Sequence, residues 1–209
     1  MSSPSGAKII SIKPLKNKDA KWLNLVQIEY VTPDGKTRTW EAVRRTTRPR
    51  ESPVDSVHIV AVRRKNDNAA PEILLEKQFR PPAGNVVIEF PAGLVDPNES
   101  LETCALRELK EETGYVGEII GSEPSLIMCG APASSAGKTV FINVTIDAGK
   151  PQNTNPVAEL EDGEFIEPFW VPLHDLHAEL KKLVAEGYDI DSKVGVYADG
   201  LEMGRRWLK

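Results

Sequence analysis

Residues 93–115 read GLVDPNESLETCALRELKEETGY. Within this stretch Glu108, Glu111 and Glu112 stand at i, i+3 and i+4, so a helix would bring the three carboxylates onto one face. The helix is well signalled. Ser100 is a good N-cap ahead of Leu101, and Glu102 adds negative charge to the first turn. Gly114 suits a left-handed stop, and Pro97 sits safely before the start. Ala105, Leu106 and Leu109 supply an apolar stripe for packing. Like charges at this spacing repel by roughly 0.2–0.5 kcal/mol per pair. Such a face reads either as a solvated acidic surface, the usual fate of a charge run, or as a seat for a hard divalent cation. The whole pattern favours the second: Gly93, Glu99, Arg107, Glu108, Leu109, Glu111, Glu112, Gly114 and Tyr115 all fall at fixed spacing.

Working outward, a strand is expected at Val86–Phe90, directly before the segment. Earlier apolar runs at Val57–Val62 and Ile73–Leu75 are separated by the polar loop 63–71. Residues 20–47 alternate through Trp22, Leu23, Leu25, Val26, Ile28 and Tyr30, then Thr37–Val43. The turn Thr32-Pro33-Asp34-Gly35 between these runs indicates a hairpin. The polar, proline-bearing stretch 46–53 is a plausible boundary, dividing a small N-terminal antiparallel β-domain (1–50) from the remainder (51–209). Downstream, Val140–Ile146 and Phe165–Val171 read as strands, and Leu173–Glu186 and Val194–Trp207 as helices. Strands on both sides of a helix, with further helices last, argue a mixed α/β fold.

The chain of 209 residues suffices for a sizeable core, and its hydrophobic 40% and charged 27% are ordinary for a globular protein. No apolar run approaches a membrane span, and the N-terminus lacks a secretory apolar core. The opening MSSPSGAKIISIKPLK reads as loosely ordered; without arginine it suggests a mitochondrial address only weakly. Cys104 and Cys129 are too few and too far apart for a disulfide framework or zinc site. A reducing compartment follows, the cytoplasm first and the nucleus second. Charge is uneven: residues 1–50 hold eleven Lys/Arg against four Asp/Glu, the rest fifteen against twenty-seven. The basic part suits an anionic substrate or an acidic partner subunit. A pI of 5.4 and the absence of a recognisable module argue against nucleic acid.

The segment from Gly93 to Tyr115 resembles the signature of the Nudix hydrolases, which cleave nucleoside diphosphates linked to another moiety. The likeness extends further. Trp40-Glu41, Arg44-Arg45-Thr46-Thr47-Arg48, Glu76-Lys77-Gln78-Phe79-Arg80-Pro81-Pro82 and Ile88-Glu89-Phe90-Pro91-Ala92-Gly93-Leu94 look like the ADP-ribose pyrophosphatase branch over roughly residues 20–170. The resemblance implies an α/β/α sandwich with a mixed sheet, and a metal-dependent hydrolysis of ADP-ribose to AMP and ribose 5-phosphate. It also implies a homodimer in which residues 1–50 swap, so that each site is shared between subunits. Alternatives are a hydrolase of another nucleoside diphosphate derivative and a non-catalytic ADP-ribose binder. Against the binder, a protein without turnover has no need of clustered like charges.

By the same resemblance Glu108, Glu111 and Glu112, with the Ala92 carbonyl, would hold two or three magnesium or manganese ions, and Arg107 would orient the carboxylates. For Glu99, a supporting role and direct metal contact are equally open. Glu164, in the acidic loop 159–164, would be the base or a further ligand, with Glu111 as the alternative base; a solvated loop is the plainer reading. Trp22 and Trp40 match the aromatic pair that sandwiches adenine, although on spacing alone either would read as core. Glu41 would accept from the adenine amine. Arg45 and Arg80 would neutralise the diphosphate, and Leu94 would contact substrate through its backbone. One departure stands out. Where this branch carries an Asp-Pro-Gly or Ser-Pro-Gly turn, this chain has Ala131-Pro132-Ala133, which puts preference at the distal ribose in doubt. His174-Asp175-x-His177 reads as a capped, exposed helix start, and His58 as a core or edge residue.

Overall fold

Alternation of apolar and polar residues builds the first sheet. In the computed structural model, which describes residues 6–65, 68–121 and 125–208, strands β1 (Leu23–Val31) and β2 (Thr37–Arg45) pair antiparallel from Leu23↔Arg45 to Val31↔Thr37. The turn closes through Gly35 N–H on Thr32 O (2.8 Å). Residues 6–16 carry no helix or strand; the loose order expected at the extreme N-terminus falls partly on residues 1–5, outside the described residues. The hairpin is a separate two-stranded sheet. It is anchored by Val43, whose N–H donates to Ser134 O (2.8 Å) and whose carbonyl accepts from Ala136 N (3.0 Å).

The remaining strands are β3 (Ser56–Arg64), β4 (Glu72–Arg80), β5 (Asn85–Glu89), β6 (Ala92–Leu94), β7 (Glu118–Ile119), β8 (Met128–Cys129), β9 (Lys138–Asp147), β10 (Ile166–Pro172) and β11 (Asp189–Ile190). The helices are α1 (Leu101–Thr113), α2 (Leu176–Ala185) and α3 (Ser192–Trp207). The sheet runs β11-β5-β4-β3-β9-β7, with β10 on β4, β6 on β3 and β8 on β9. Pairing is parallel for β3–β9 and β5–β11 and antiparallel elsewhere, so the sheet is mixed.

Period-two alternation sends successive side chains to opposite faces. Val57, Ile59 and Ala61 of β3, Leu74 of β4 and Val140, Ile142 and Val144 of β9 pack with Cys104, Ala105 and Leu109 of α1. Val60, Ile73, Leu75, Ile88 and Phe90 pack on the other side, against Leu176, Leu180 and Leu183 of α2 and Val194 and Ala198 of α3. The result is the expected α/β/α sandwich, each fully buried aliphatic contributing roughly 1.5–3 kcal/mol. Ser100 caps α1 by accepting from Thr103 N (3.1 Å), and Gly114 ends it at φ 73°.

Three differences from the sequence reading have identifiable physical causes. Strand β4 continues past Leu75 to Arg80, because Glu76, Gln78 and Arg80 continue the alternation with polar side chains. Helix α2 starts at Leu176 rather than Leu173, since Asp175 N bonds Pro172 O in a turn (2.9 Å). Asp175 makes no side-chain cap; its carboxylate faces His174 (3.1 Å), while His177 faces Asp199 (3.2 Å). The side-chain capping expected there is therefore corrected to local His–Asp contacts. Strands β6, β7, β8 and β11, of two or three residues each, are too short to leave a period in the sequence.

Gly114 also faces Val157 closely: a Cβ there would lie 2.4 Å from the Val157 nitrogen. Gly114→Ala therefore combines a left-handed backbone with a backbone clash and should cost more than about 1 kcal/mol. A lower urea midpoint at unchanged slope checks this.

Candidate active site

The chain turns from Pro91 into β6 and then α1, and that path seats the carboxylates. Ile59 N donates to Pro91 O (2.8 Å), and β6 pairs with β3 through Val57↔Gly93 and His58↔Ala92. Gly93 lies against Glu108 so closely that a Cβ would fall 1.8 Å from the Glu108 carboxyl carbon. A side chain at position 93 would force the Glu108 carboxylate out of this position.

Arg107 organises the outer side. Its Nε and Nη2 donate to Glu99 (2.8 and 2.9 Å), and its Nη1 donates to Glu108 (2.7 Å) and Glu111 (3.0 Å). Nη2 also reaches the Leu94 carbonyl (3.2 Å). Glu99, held below its usual carboxylate range first by the Arg107 hydrogen bond, further accepts from Asp96 N (3.1 Å). Both of its carboxylate oxygens are thus engaged within the loop and helix edge.

Glu112 faces inward. It is 5% exposed, and its Oε2 accepts from Ala92 N (2.9 Å). Burial pushes its carboxyl up to about 8, aided by Glu108 and Glu164 and opposed by the Ala92 N–H. Burial likewise raises Glu108.

A cavity of about 520 Å³ opens over these groups. Of the residues singled out in the sequence, it brings together Ala92, Leu94, Glu108, Glu111, Glu112, Glu164, Arg45 and Arg80. Arg45 arrives from the last residue of β2 and Arg80 from the last of β4, where it is bonded to Glu89. Glu164 arrives on the loop after Glu159, which is tethered by Glu159 N to Glu111 O (2.7 Å) and by the Lys110–Glu159 ion pair (2.8 Å). Leu94 lines the wall while its carbonyl is taken up by Arg107 and by Cys104 Sγ (3.3 Å).

Trp22, Trp40 and Glu41 do not line this cavity among the described residues. Both tryptophans are exposed, at 64% and 51%, so the core alternative does not hold within this chain. Trp40 Nε1 donates to Ala133 O (2.7 Å), joining the hairpin to the altered turn; Ser135 Oγ is used locally, accepting from Gly137 N (3.0 Å). Sequence reasoning missed His58, Gln78 and Glu161 as lining groups. His58 packs edge-on against Phe141 (5.8 Å) and is held down to about 4 by burial, so it is neutral. The period-two pattern leading from Leu74 through Glu76 to Gln78 could have revealed Gln78.

Among the described residues no three His, Cys, Asp or Glu side chains converge on one point; Arg107 draws Glu108 and Glu111 toward itself. The donor set nevertheless fits a hard divalent cation. It is all oxygen, partly dehydrated, and short of positive charge on its inner side.

The chain matches the NUDIX domain family over residues 53–192. It is 43% identical over 205 residues to an ADP-ribose pyrophosphatase of Saccharomyces cerevisiae, covering 98% of this chain and 87% of that one. An uncharacterized Nudix hydrolase of Schizosaccharomyces pombe is 42% identical over 208 residues, covering 100% and 99%. An ADP-sugar pyrophosphatase of Mus musculus is 40% identical over 203 residues, covering 97% and 89%.

The raised Glu112 carboxyl has a thermodynamic consequence. Between its ordinary 4.5 and about 8 the folded chain holds a proton that the unfolded chain has released. Stability from this group is therefore present at low pH and lost as pH rises through that window. In EDTA the melting temperature should fall from pH 5 to pH 8, and Glu112→Gln should flatten that fall in calorimetry.

Proposed function

The chain belongs to the NUDIX family as a Nudix hydrolase, and we propose that it hydrolyses the diphosphate bond of ADP-ribose and related ADP-sugars to AMP and ribose 5-phosphate. One observation carries the reading: a single cavity is lined by the guanidinium groups of Arg45 and Arg80 together with the carboxylates Glu108, Glu111, Glu112 and Glu164. A diphosphate needs the first, and the cations that would escort it need the second. The names of the yeast and mouse relatives supply the nucleotide sugar.

Two or three magnesium or manganese ions would be held by Glu108, Glu111, Glu112, Glu164 and the Ala92 carbonyl. When bound, they would supply an activated water and neutralise phosphate charge. The protein groups do the rest. Arg45 and Arg80 orient the two phosphates with paired donors. Glu164 accepts the proton of the attacking water, with Glu111 as the second candidate. Water adds to one phosphorus, the bridging P–O bond breaks, and the departing oxygen stays on the other phosphate.

The assembly completes the site. Residues 1–50 form the N-terminal β-domain and 51–209 the Nudix domain, and the first exchanges across a homodimer. In that arrangement Trp22 and Trp40, from different subunits, stack on adenine, and Glu41 accepts from its amine. Supporting this are the exposure of both indoles and of Leu23 and Leu25 beside them. The two unpaired cysteines favour a reducing location, the cytoplasm and then the nucleus. Among the described residues, no helix is long and apolar enough to cross a membrane.

Incubation with ADP-ribose and Mg2+ should yield AMP and ribose 5-phosphate on chromatography, abolished by EDTA. Glu112→Gln should lower kcat by roughly 100-fold or more. Trp40→Ala should raise KM roughly tenfold or more, the loss of one stacking partner, with kcat little changed. Light scattering should give a dimer; a fully active monomer would remove the shared site.

A further inference from the structure

Strand β4 carries Leu74, Glu76, Gln78 and Arg80 on one side. Leu74 is core under α1, and Gln78 and Arg80 line the catalytic cavity. Glu76 lies between them with 0% exposure. Among the described residues neither Glu76 carboxylate oxygen has a hydrogen-bond partner, and neither has the buried Gln78 Oε1. Across the sheet Glu76 stands opposite Glu89 on β5 and Pro168 on β10.

The charged groups facing Glu76 are Glu112, Glu89 and Glu164, with Arg80 as the counter-charge. That guanidinium is already bonded to Glu89. Burial, reinforced by Glu112 and Glu89, pushes the Glu76 carboxyl well above its usual range. An unpaired buried carboxylate is among the costliest groups a fold can hold, and partners or a cation are the usual remedy. Three buried oxygens without partners, on the strand that carries Gln78 and Arg80 into the cavity wall and facing Glu112, form a hard-oxygen set suited to a divalent ion.

We propose that Glu76, Gln78 Oε1 and Glu112 form an inner divalent-cation position beneath the helix face, with water completing its shell. It rests on the metal-dependent reading of the cavity but draws two of its ligands from β4, outside the signature segment. Glu108 and Glu111 are left to the outer ions.

The test is Mn2+ binding without substrate, read from the free-ion EPR signal, on the wild type, Glu76→Gln and Glu76→Leu. Each variant should bind one Mn2+ fewer per chain than the wild type at equal free concentration. Its Mn2+-induced rise in melting temperature should shrink accordingly. In EDTA both variants should melt at or above the wild type, because the unpaired carboxylate is gone. Equal stoichiometry and an equal rise would overturn the inner position and leave the hydrolase reading intact. Variants melting below the wild type in EDTA would also overturn it, showing Glu76 to be a structural acid. A wild type that binds no Mn2+ would overturn both readings.

Discussion

Arg107 resolves the electrostatic problem around which the Nudix domain is arranged. A helix that carries Glu108, Glu111 and Glu112 on one edge, beside Glu99, would repel itself. The guanidinium donates to Glu99, Glu108 and Glu111 and to the Leu94 carbonyl, so one cation ties the loop before the helix to the helix itself. A planar, permanently charged fork with five donors can do this, and a lysine cannot. The loop lies tight on the helix edge, with Gly93 against the Glu108 carboxylate and Ala92 N–H on Glu112.

That clamp covers the outer side only. Inside, Glu112 and Glu76 face only Arg80 as a cation, which is already bonded to Glu89, and burial raises both. The two sides of the helix edge therefore differ in kind. The outer carboxylates are hydrogen-bonded to a built-in cation, whereas the inner ones are protonated or matched by an ion from outside. Metal uptake at such a site displaces protons and grows stronger with pH.

What was legible in the sequence was what has local causes. Ser100, Gly114 and the Ala105/Leu109 stripe announced α1 because caps and helical periodicity act within a few residues. The hairpin was readable from alternation around Asp34-Gly35 for the same reason. The α2 start misled because Val171-Pro172-Leu173 looks apolar, yet Leu173 N bonds Pro71 O as an extended chain beside β4 (2.8 Å). That is a contact a hundred residues away. Glu76 lies in the run 76–82 with no local sign in the sequence that its carboxyl is fully buried. For Trp22 and Trp40 the single chain reports exposure, and their surroundings belong to whatever covers the hairpin.

The parallel pairing of β3 with β9 also bears on synthesis. Ser56 lies beside Thr139 and Arg64 beside Asp147, so the centre of the sheet joins segments 83 residues apart in the chain. Antiparallel neighbours β3, β4 and β5 can begin to pair as soon as they leave the ribosome, but the other edge of β3 must wait until β9 emerges. Until then Val57, Ile59 and Ala61 have no partner strand on that side, and the completed α1 has only part of its packing surface. Non-local pairing of this kind slows folding and prolongs the life of an open apolar edge. The signature helix is thus translated early and secured late, leaving an interval in which the nascent chain depends on protection from its surroundings.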